Sequence, residues 1–470
     1  MDFNSSIFLV WFLPVFIALY LLAKDKFRNG YLLLVSILVY AWAEPKFIIV
    51  LLITTCLDFY LVKLLHQQKR KVAKKAFLLL SVLINVGLLV YFKYSNFFIE
   101  TINELFGSKL PLLDLLLPLG ISFYTFETIT YVVDVYRGVC SPQNKLNNYL
   151  LYIFFFPKMV AGPIVRYVEM ETQLFNNVSE EKLDNLLNGF YRFCLGLAKK
   201  VLIANQLALY GVDKIFYADP NTLNGFTAWV GIIGYTMQIY FDFSAYSDMA
   251  IGLSKMVGFR IPENFNSPYL SASVNEFWKR WHITLGEWLK NYLYIPLGGN
   301  RGVSWKIYFN LWLVFIISGL WHKGSWSLII WGAFHGTLIV LERLFSKMKT
   351  WKAPHGLRII STFFLVAIGF VLFRSDNLSK AMDFYNAMLF TNSNIDMELR
   401  NELWFPLGLA IVFSFINHFS FGKKLQEFYY GNSTNISRHI FLTIFSLVLF
   451  VLALSYTTSV GFTPFIYFRF

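Results

Sequence analysis

Three histidines stand near one another in a chain that is otherwise strongly apolar. His282 closes Trp278-Lys279-Arg280-Trp281-His282, His322 closes Gly319-Leu320-Trp321-His322, and His335 lies in Phe334-His335-Gly336. Neutral imidazole is the side chain best suited to take up a proton near pH 7. A histidine in lipid or in a bundle core is costly unless it has a partner or a task. The cluster therefore points to proton transfer inside a membrane. His322, at the expected outer end of a helix, can serve as the general base that activates an acceptor hydroxyl for attack on an acyl thioester. Desolvation disfavours a charged imidazole and keeps it available as a base. The alternative is a structural histidine bonded to a helix carbonyl. His282 is either a second polar group in the same tunnel or one member, with Arg280 and Trp281, of an aromatic-basic belt at the interface. His335 follows His322 by thirteen residues, which allows it to lie at the opposite depth with a packing role. No H-E-x-x-H or H-x-x-x-H spacing supports a three-histidine metal site, so no metal is expected.

Other polar groups interrupt apolar stretches. Asp242, Ser244 and Asp248 lie in Tyr240-Phe241-Asp242-Phe243-Ser244-Ala245-Tyr246-Ser247-Asp248. They either orient a histidine or arginine from behind or clamp one helix to another. Lys158 and Arg166 flank Ala161-Gly162-Pro163. They meet phosphate or carboxylate groups of a donor, or they snorkel toward headgroups. Cys56, Cys140 and Cys194 are far apart in or beside apolar segments, which suits packing rather than a disulfide, a metal or a nucleophile. A G-x-S-x-G elbow, a P-loop and a G-x-G-x-x-G turn are all absent.

These side chains must be held by membrane helices. Of 470 residues 56% are hydrophobic and only 15% charged, against roughly 25% charged in soluble domains. Apolar runs long enough for about 30 Å of hydrocarbon recur at 7–23, 46–64, 76–92, 307–320, 357–373 and 440–454. The pattern is that of an all-α polytopic membrane protein, a single integral-membrane domain over 1–470. The N-terminus lacks a basic region and a cleavage site, so the first helix is expected to be retained. The net charge of +13 falls in short loops, which implies topology and anionic headgroups rather than nucleic acid. Basic residues at 63–75 and 343–358 should face the cytoplasm, which puts both termini outside. A last pair of helices near 403–418 and 440–454 would then carry Lys423 and Lys424 in the inner loop between them.

The middle of the chain is less regular. Residues 116–136 are interrupted by Pro118, Gly120, Glu127 and Asp134, residues 154–162 carry Pro157, Lys158 and Gly162, and residues 276–296 are amphipathic. Irregular backbone at membrane depth survives only where protein or a water-filled cavity covers it. Re-entrant or interfacial pieces lining a cavity are predicted here. Gly319, Gly324 and Gly332 permit close backbone approach around His322.

The motifs Phe156-Pro157-Lys158-Met159-Val160-Ala161-Gly162-Pro163-Ile164, the run from Asp242 to Leu253, Pro262-Glu263-Asn264-Phe265-Asn266, Glu276-Phe277-Trp278-Lys279-Arg280-Trp281-His282, the run from Tyr292 to Arg301 and Gly319-Leu320-Trp321-His322 resemble those of membrane-bound O-acyltransferases, notably the membrane subunits of bacterial polysaccharide O-acetyltransferases. Lys323 departs from the pattern, which has glycine after the histidine. It either charges the surroundings of the base or points outward. The resemblance implies a ring of about 11 transmembrane helices with re-entrant segments around a central tunnel, in a bacterial inner membrane. It implies His322 as the catalytic histidine and His282 as the second tunnel histidine; the reading of the residues themselves adds Lys158, Asp242, Ser244, Asp248, Arg280, Trp281, Trp321 and His335 as further tunnel candidates. No bound cofactor is implied. The donor is an acyl thioester, acetyl-CoA or an acyl-carrier thioester, and the partner is a secreted or membrane-anchored acetyltransferase with a serine-hydrolase-like fold.

Two readings remain beside polysaccharide O-acetylation, namely D-alanyl transfer toward teichoic acids and a transporter or flippase. Paired, symmetry-related broken helices, which a transporter favours, are not evident. The tail Phe465-Ile466-Tyr467-Phe468-Arg469-Phe470 is either an aromatic interfacial anchor or part of the active site. In the second case Tyr467, its only hydroxyl, accepts the acyl group as a transient ester.

Overall fold

The computed structural model describes residues 3–175, 182–219, 222–301, 303–347, 353–389, 399–431, 435–460 and 464–466. Most of these residues are helical, with no strand among them. Phe265 and Trp281 form an isolated antiparallel bridge. Among the described residues six helices are long and apolar enough to cross a membrane: Ile48–Gln67, Lys71–Phe106, Lys182–Tyr217, Trp326–Phe345, His355–Arg374 and Ile436–Ser459. A seventh is added if Asn401–His418 and Ser420–Tyr430, bent by 97°, count as one span. The chain is a multi-pass membrane protein. It divides into two compact units, Met1–Phe193 with Met249–Pro262, and Cys194–Asp248 with Glu263–Phe470.

In the first unit the expected interruption of 116–136 is confined to its start. Gly120 adopts a left-handed φ of +74° and begins the continuous helix Ile121–Arg137. A Cβ there would stand 2.7 Å from the carbonyl oxygen of Met159, so glycine permits both the turn and the close approach. Glu127 and Asp134 do not break the helix, because each has a cation. Lys158 pairs with Glu127 and Arg166 with Asp134 at 3.0 Å. The stretch 155–166 is non-helical, as expected. Glu127 helps satisfy its backbone by accepting from the Val165 N–H at 3.3 Å, and the Tyr152 hydroxyl donates to the Val165 carbonyl at 2.8 Å. Irregular backbone away from water needs such partners. The basic residues of 63–75 sit mostly on helix ends, since only 68–70 separate Ile48–Gln67 from Lys71–Phe106.

In the second unit Ser304–His322 and Trp326–Lys347 pack backbone to backbone. A Cβ on Gly319 would collide with the Leu328 carbonyl, and one on Gly332 with the Phe315 carbonyl. Small residues bring membrane helices this close. The amphipathic segment splits into Val274–Arg280 and Ile283–Leu289. Lys423 and Lys424, expected in a loop, lie instead on the short helix Ser420–Tyr430. This helix is strongly two-faced and leaves both lysines exposed.

Candidate active site

The break between Val274–Arg280 and Ile283–Leu289 positions the first histidine. Trp281 is extended and bridges to Phe265. The Asn266 N–H donates to the Arg280 carbonyl at 2.9 Å, and the Ile283 N–H to the Asn264 carbonyl at 3.0 Å. Between these ties His282 takes a left-handed backbone, φ 46° and ψ 54°. Such a conformation costs a side chain with a Cβ about 1–2 kcal/mol, and strain of this kind persists where its surroundings over-determine it.

Asn264 fixes the imidazole. Its Nδ2 donates to Ser247 Oγ at 3.3 Å, which orients the amide. Its Oδ1 then accepts from the Thr284 N–H at 3.3 Å, from Thr284 Oγ1 at 3.0 Å and from His282 Nδ1 at 3.1 Å. Since Oδ1 only accepts, Nδ1 carries the proton and Nε2 carries the lone pair. His282 is buried, lies outside the candidate spans, and burial lowers its imidazole to about 3.

Aromatic rings connect the histidines. The His282 ring lies 4.7 Å from Phe243 and 6.2 Å from Trp321. Trp321 is 4.9 Å from His322, which in turn meets Phe373 at 5.2 Å and Trp331 at 5.5 Å. His322 is the last residue of Ser304–His322 and is buried. His335 reaches the same Trp331 at 5.1 Å and Trp278 at 5.1 Å. It is therefore one ring away from His322, because its helix folds back directly against that of His322. Neither His335 nitrogen has a hydrogen-bond partner among the described residues. A Cβ on Gly369 would stand 2.7 Å from its Nε2. Its ring is thus tightly enclosed, which fits the packing role weighed from the sequence.

The remaining candidates divide. Trp281 is buried among Phe265, Phe277 and Phe370. Arg280 does not join the histidines. It pairs with Glu276 at 2.7 Å on a half-exposed face. Lys158 belongs to the first unit, where its ammonium is engaged by Glu127. Asp242 and Asp248 pair with Lys200 and Lys199, at 2.5 and 2.6 Å. They thus join helices rather than orient a histidine. Ser244 Oγ finds no hydrogen-bond partner among the described residues. Lys323 is exposed and points outward into a cleft of about 200 Å³, lined also by Asp213, Tyr217, Tyr235, Phe373 and Ile466. Tyr467 lies outside the described residues. Groups of three or more potential metal ligands are absent among the described residues.

Sequence reasoning gave Asn264 no role and passed over Lys199 and Lys200. The lysines did carry a signal. Two adjacent cations inside an apolar span require partners, and two aspartates six residues apart provide them. Trp331 and Phe373 carried none, since apolar rings look alike until they are packed.

The family model for membrane-bound O-acyltransferases matches residues 46–379, which include all three histidines. The chain belongs to the membrane-bound O-acyltransferase family. It is an O-acyltransferase. The chain is 42% identical over 393 residues to the probable alginate O-acetylase of Pseudomonas aeruginosa, covering 83% of this chain and 75% of the relative. It is 36% identical over 427 residues to the peptidoglycan O-acetyltransferase of Helicobacter pylori, covering 83% and 80%. It is 29% identical over 346 residues to the teichoic acid D-alanyltransferase of Bacillus subtilis, covering 66% and 86%. The C-terminal tail lies beyond the residues that this acyltransferase shares with the family model.

Proposed function

We propose that this O-acyltransferase takes an acetyl group from a cytoplasmic thioester, acetyl-CoA or an acyl-carrier thioester, and delivers it across the inner membrane for O-acetylation of an extracytoplasmic polysaccharide. The 42% identity to a probable alginate O-acetylase carries the reading, and the peptidoglycan O-acetyltransferase supports an acetyl group on a glycan. The lower identity to the D-alanyltransferase makes D-alanyl transfer the second choice.

His322 is the general base. It removes the proton of an acceptor hydroxyl as the oxygen attacks the thioester carbonyl carbon. The C–O bond forms, the C–S bond breaks, and the thiolate leaves with the proton that His322 held. His282, with its proton fixed on Nδ1 by Asn264, offers its Nε2 lone pair to a donated hydrogen bond in the same aromatic enclosure. Tyr467 is the first acceptor. Its phenolic ester then passes the acetyl group to the serine of a hydrolase-like partner outside, which splits one difficult transfer into two easier ones. Mass spectrometry of extracellular polymer from cells with and without the protein tests the reaction. Loss of O-acetyl ester in its absence is the expected result, and loss of D-alanyl ester instead selects the second choice. Tyr467→Phe tests the relay, since it removes one oxygen and keeps the ring. Full acetylation by that variant eliminates the ester intermediate.

A further inference from the structure

Residues 464–466 follow the last membrane helix and are drawn into the second unit. Phe465 and Ile466 are 1% and 7% exposed. The Ile466 N–H donates to Asp242 Oδ2 at 2.9 Å, while Asp242 Oδ1 receives the ammonium of Lys200 at 2.5 Å. Lys200 also donates to the Pro464 carbonyl at 3.1 Å and sits 4.4 Å from the centre of the Phe465 ring. The other side of that ring environment is Tyr246, edge-on at 4.9 Å. Both charges are almost wholly buried, at 1% and 3% exposure. A buried ion pair holds its place when its remaining donors and lone pairs are used. Here the main chain of the tail uses them.

We infer that Lys200 and Asp242 form a latch that seats the C-terminal tail in the unit carrying His322, and that they act as positioning residues for it. The latch reads backbone, one N–H and one carbonyl, and adds a single ring slot for Phe465. Ile466 then lines the cleft whose wall includes Phe373, the ring that also packs on His322 at 5.2 Å. The next residue in the sequence is Tyr467. The consequence for catalysis rests on the proposed relay, but the latch itself does not. Lys200 is the second residue of a π-helical turn, Lys199–Ala204. Such turns re-aim side chains within a helix and occur often at functional positions. In this one Lys199 goes to Asp248 and Lys200 to Asp242, two separate sites on Gly225–Met256.

Hydrogen exchange of the full-length protein in detergent, read by mass spectrometry on the C-terminal peptide, tests the latch. Asp242→Asn keeps the shape and removes the charge, Lys200→Met removes the ammonium, and Ile466→Pro removes the donated N–H together with the isoleucine side chain and leaves both charges of the ion pair in place. Tail exchange is expected to speed up by about tenfold in each, the factor that one lost hydrogen bond carries. Peptides from Ser304–His322 and Trp326–Lys347 should exchange as before. Ile466→Pro guards against misfolding of the charge variants. Unchanged tail exchange in folded Ile466→Pro and Asp242→Asn overturns the latch. Faster tail exchange with undiminished acetyl transfer sustains the latch and removes the relay instead, so the two ideas fail separately.

Discussion

His282 and His322 differ in what their neighbours leave the imidazole to do. Asn264 holds His282 in one tautomer and a left-handed backbone, and burial keeps it neutral. Folded His282 titrates near 3, below its ordinary 6.5, so between those values the unfolded chain binds more protons than the folded one. Stability is then full above about pH 6.5 and is lost as pH falls toward 3. The melting temperature in detergent should fall between pH 7.5 and 5, and His282→Gln, which retains a donor for Asn264, should flatten that fall. Parallel curves for the two proteins would show that other groups titrate. His322 is held by rings on several sides, at a helix end beside the cleft that Lys323 enters. His322→Ala should lower acetyl transfer by about 10²–10⁴, the usual worth of a general base, with the protein still monodisperse. His335→Ala should instead act through packing, lowering the melting temperature and leaving the rate of the folded fraction near wild type. Equal rate losses in the two variants would assign the base wrongly.

At the scale of elements, glycine decides how closely the two histidine-bearing helices meet. Gly319→Val should abolish folded protein or lower its melting temperature sharply, because a Cβ would fall on the Leu328 carbonyl; overpacking of this kind costs about 1–3 kcal/mol or more. Gly356, with nothing within 4 Å, is the control, and its alanine variant should behave as wild type in a thermal shift measurement. Four of the long apolar helices, Ile48–Gln67, Lys71–Phe106, His355–Arg374 and Ile436–Ser459, and the close approach at Gly319 and Gly332 were legible in the sequence, because hydropathy and small residues are local signals, whereas Lys182–Tyr217 and Trp326–Phe345 were not among the apolar runs. The continuity of Ile121–Arg137 was not. A charge inside an apolar run reads as an interruption until its partner is known, and Lys158 and Arg166 come from another segment. The bend between Asn401–His418 and Ser420–Tyr430 escaped for a similar reason. Lys423 and Lys424 suggested a loop, whereas a two-faced helix carries them equally well. Within the site, residue types identified His282 and His322, but only packing revealed Asn264, Trp331 and Phe373 around them.

At the scale of the whole molecule, the question is on which side the acetyl group appears. The spans and the net charge of +13 describe a membrane protein whose short loops are basic, and basic loops stay in the cytoplasm. By that rule the basic segments before Lys71–Phe106 and before His355–Arg374 should be inside, which would set Arg374 and the residues after it outside. Lys323, Arg374 and Asp376 all line one cleft, so that cleft should open to the outside, whereas an acetyl thioester is made in the cytoplasm. A carrier-free crossing follows: the acetyl group should enter on the face of the basic loops and leave at the Lys323 face, with no separate flippase. Vesicles reconstituted with purified protein in a single orientation, verified by protease access to residues 348–352, provide the test. Labelled acetyl-CoA is supplied on the basic-loop side only, and a serine-bearing acceptor protein on the other side only. Label on the acceptor is expected, and it should vanish in His322→Ala vesicles that remain sealed. Label that appears only when donor and acceptor share one side would mean that the enzyme works at a single membrane face, and the crossing would then belong to another protein.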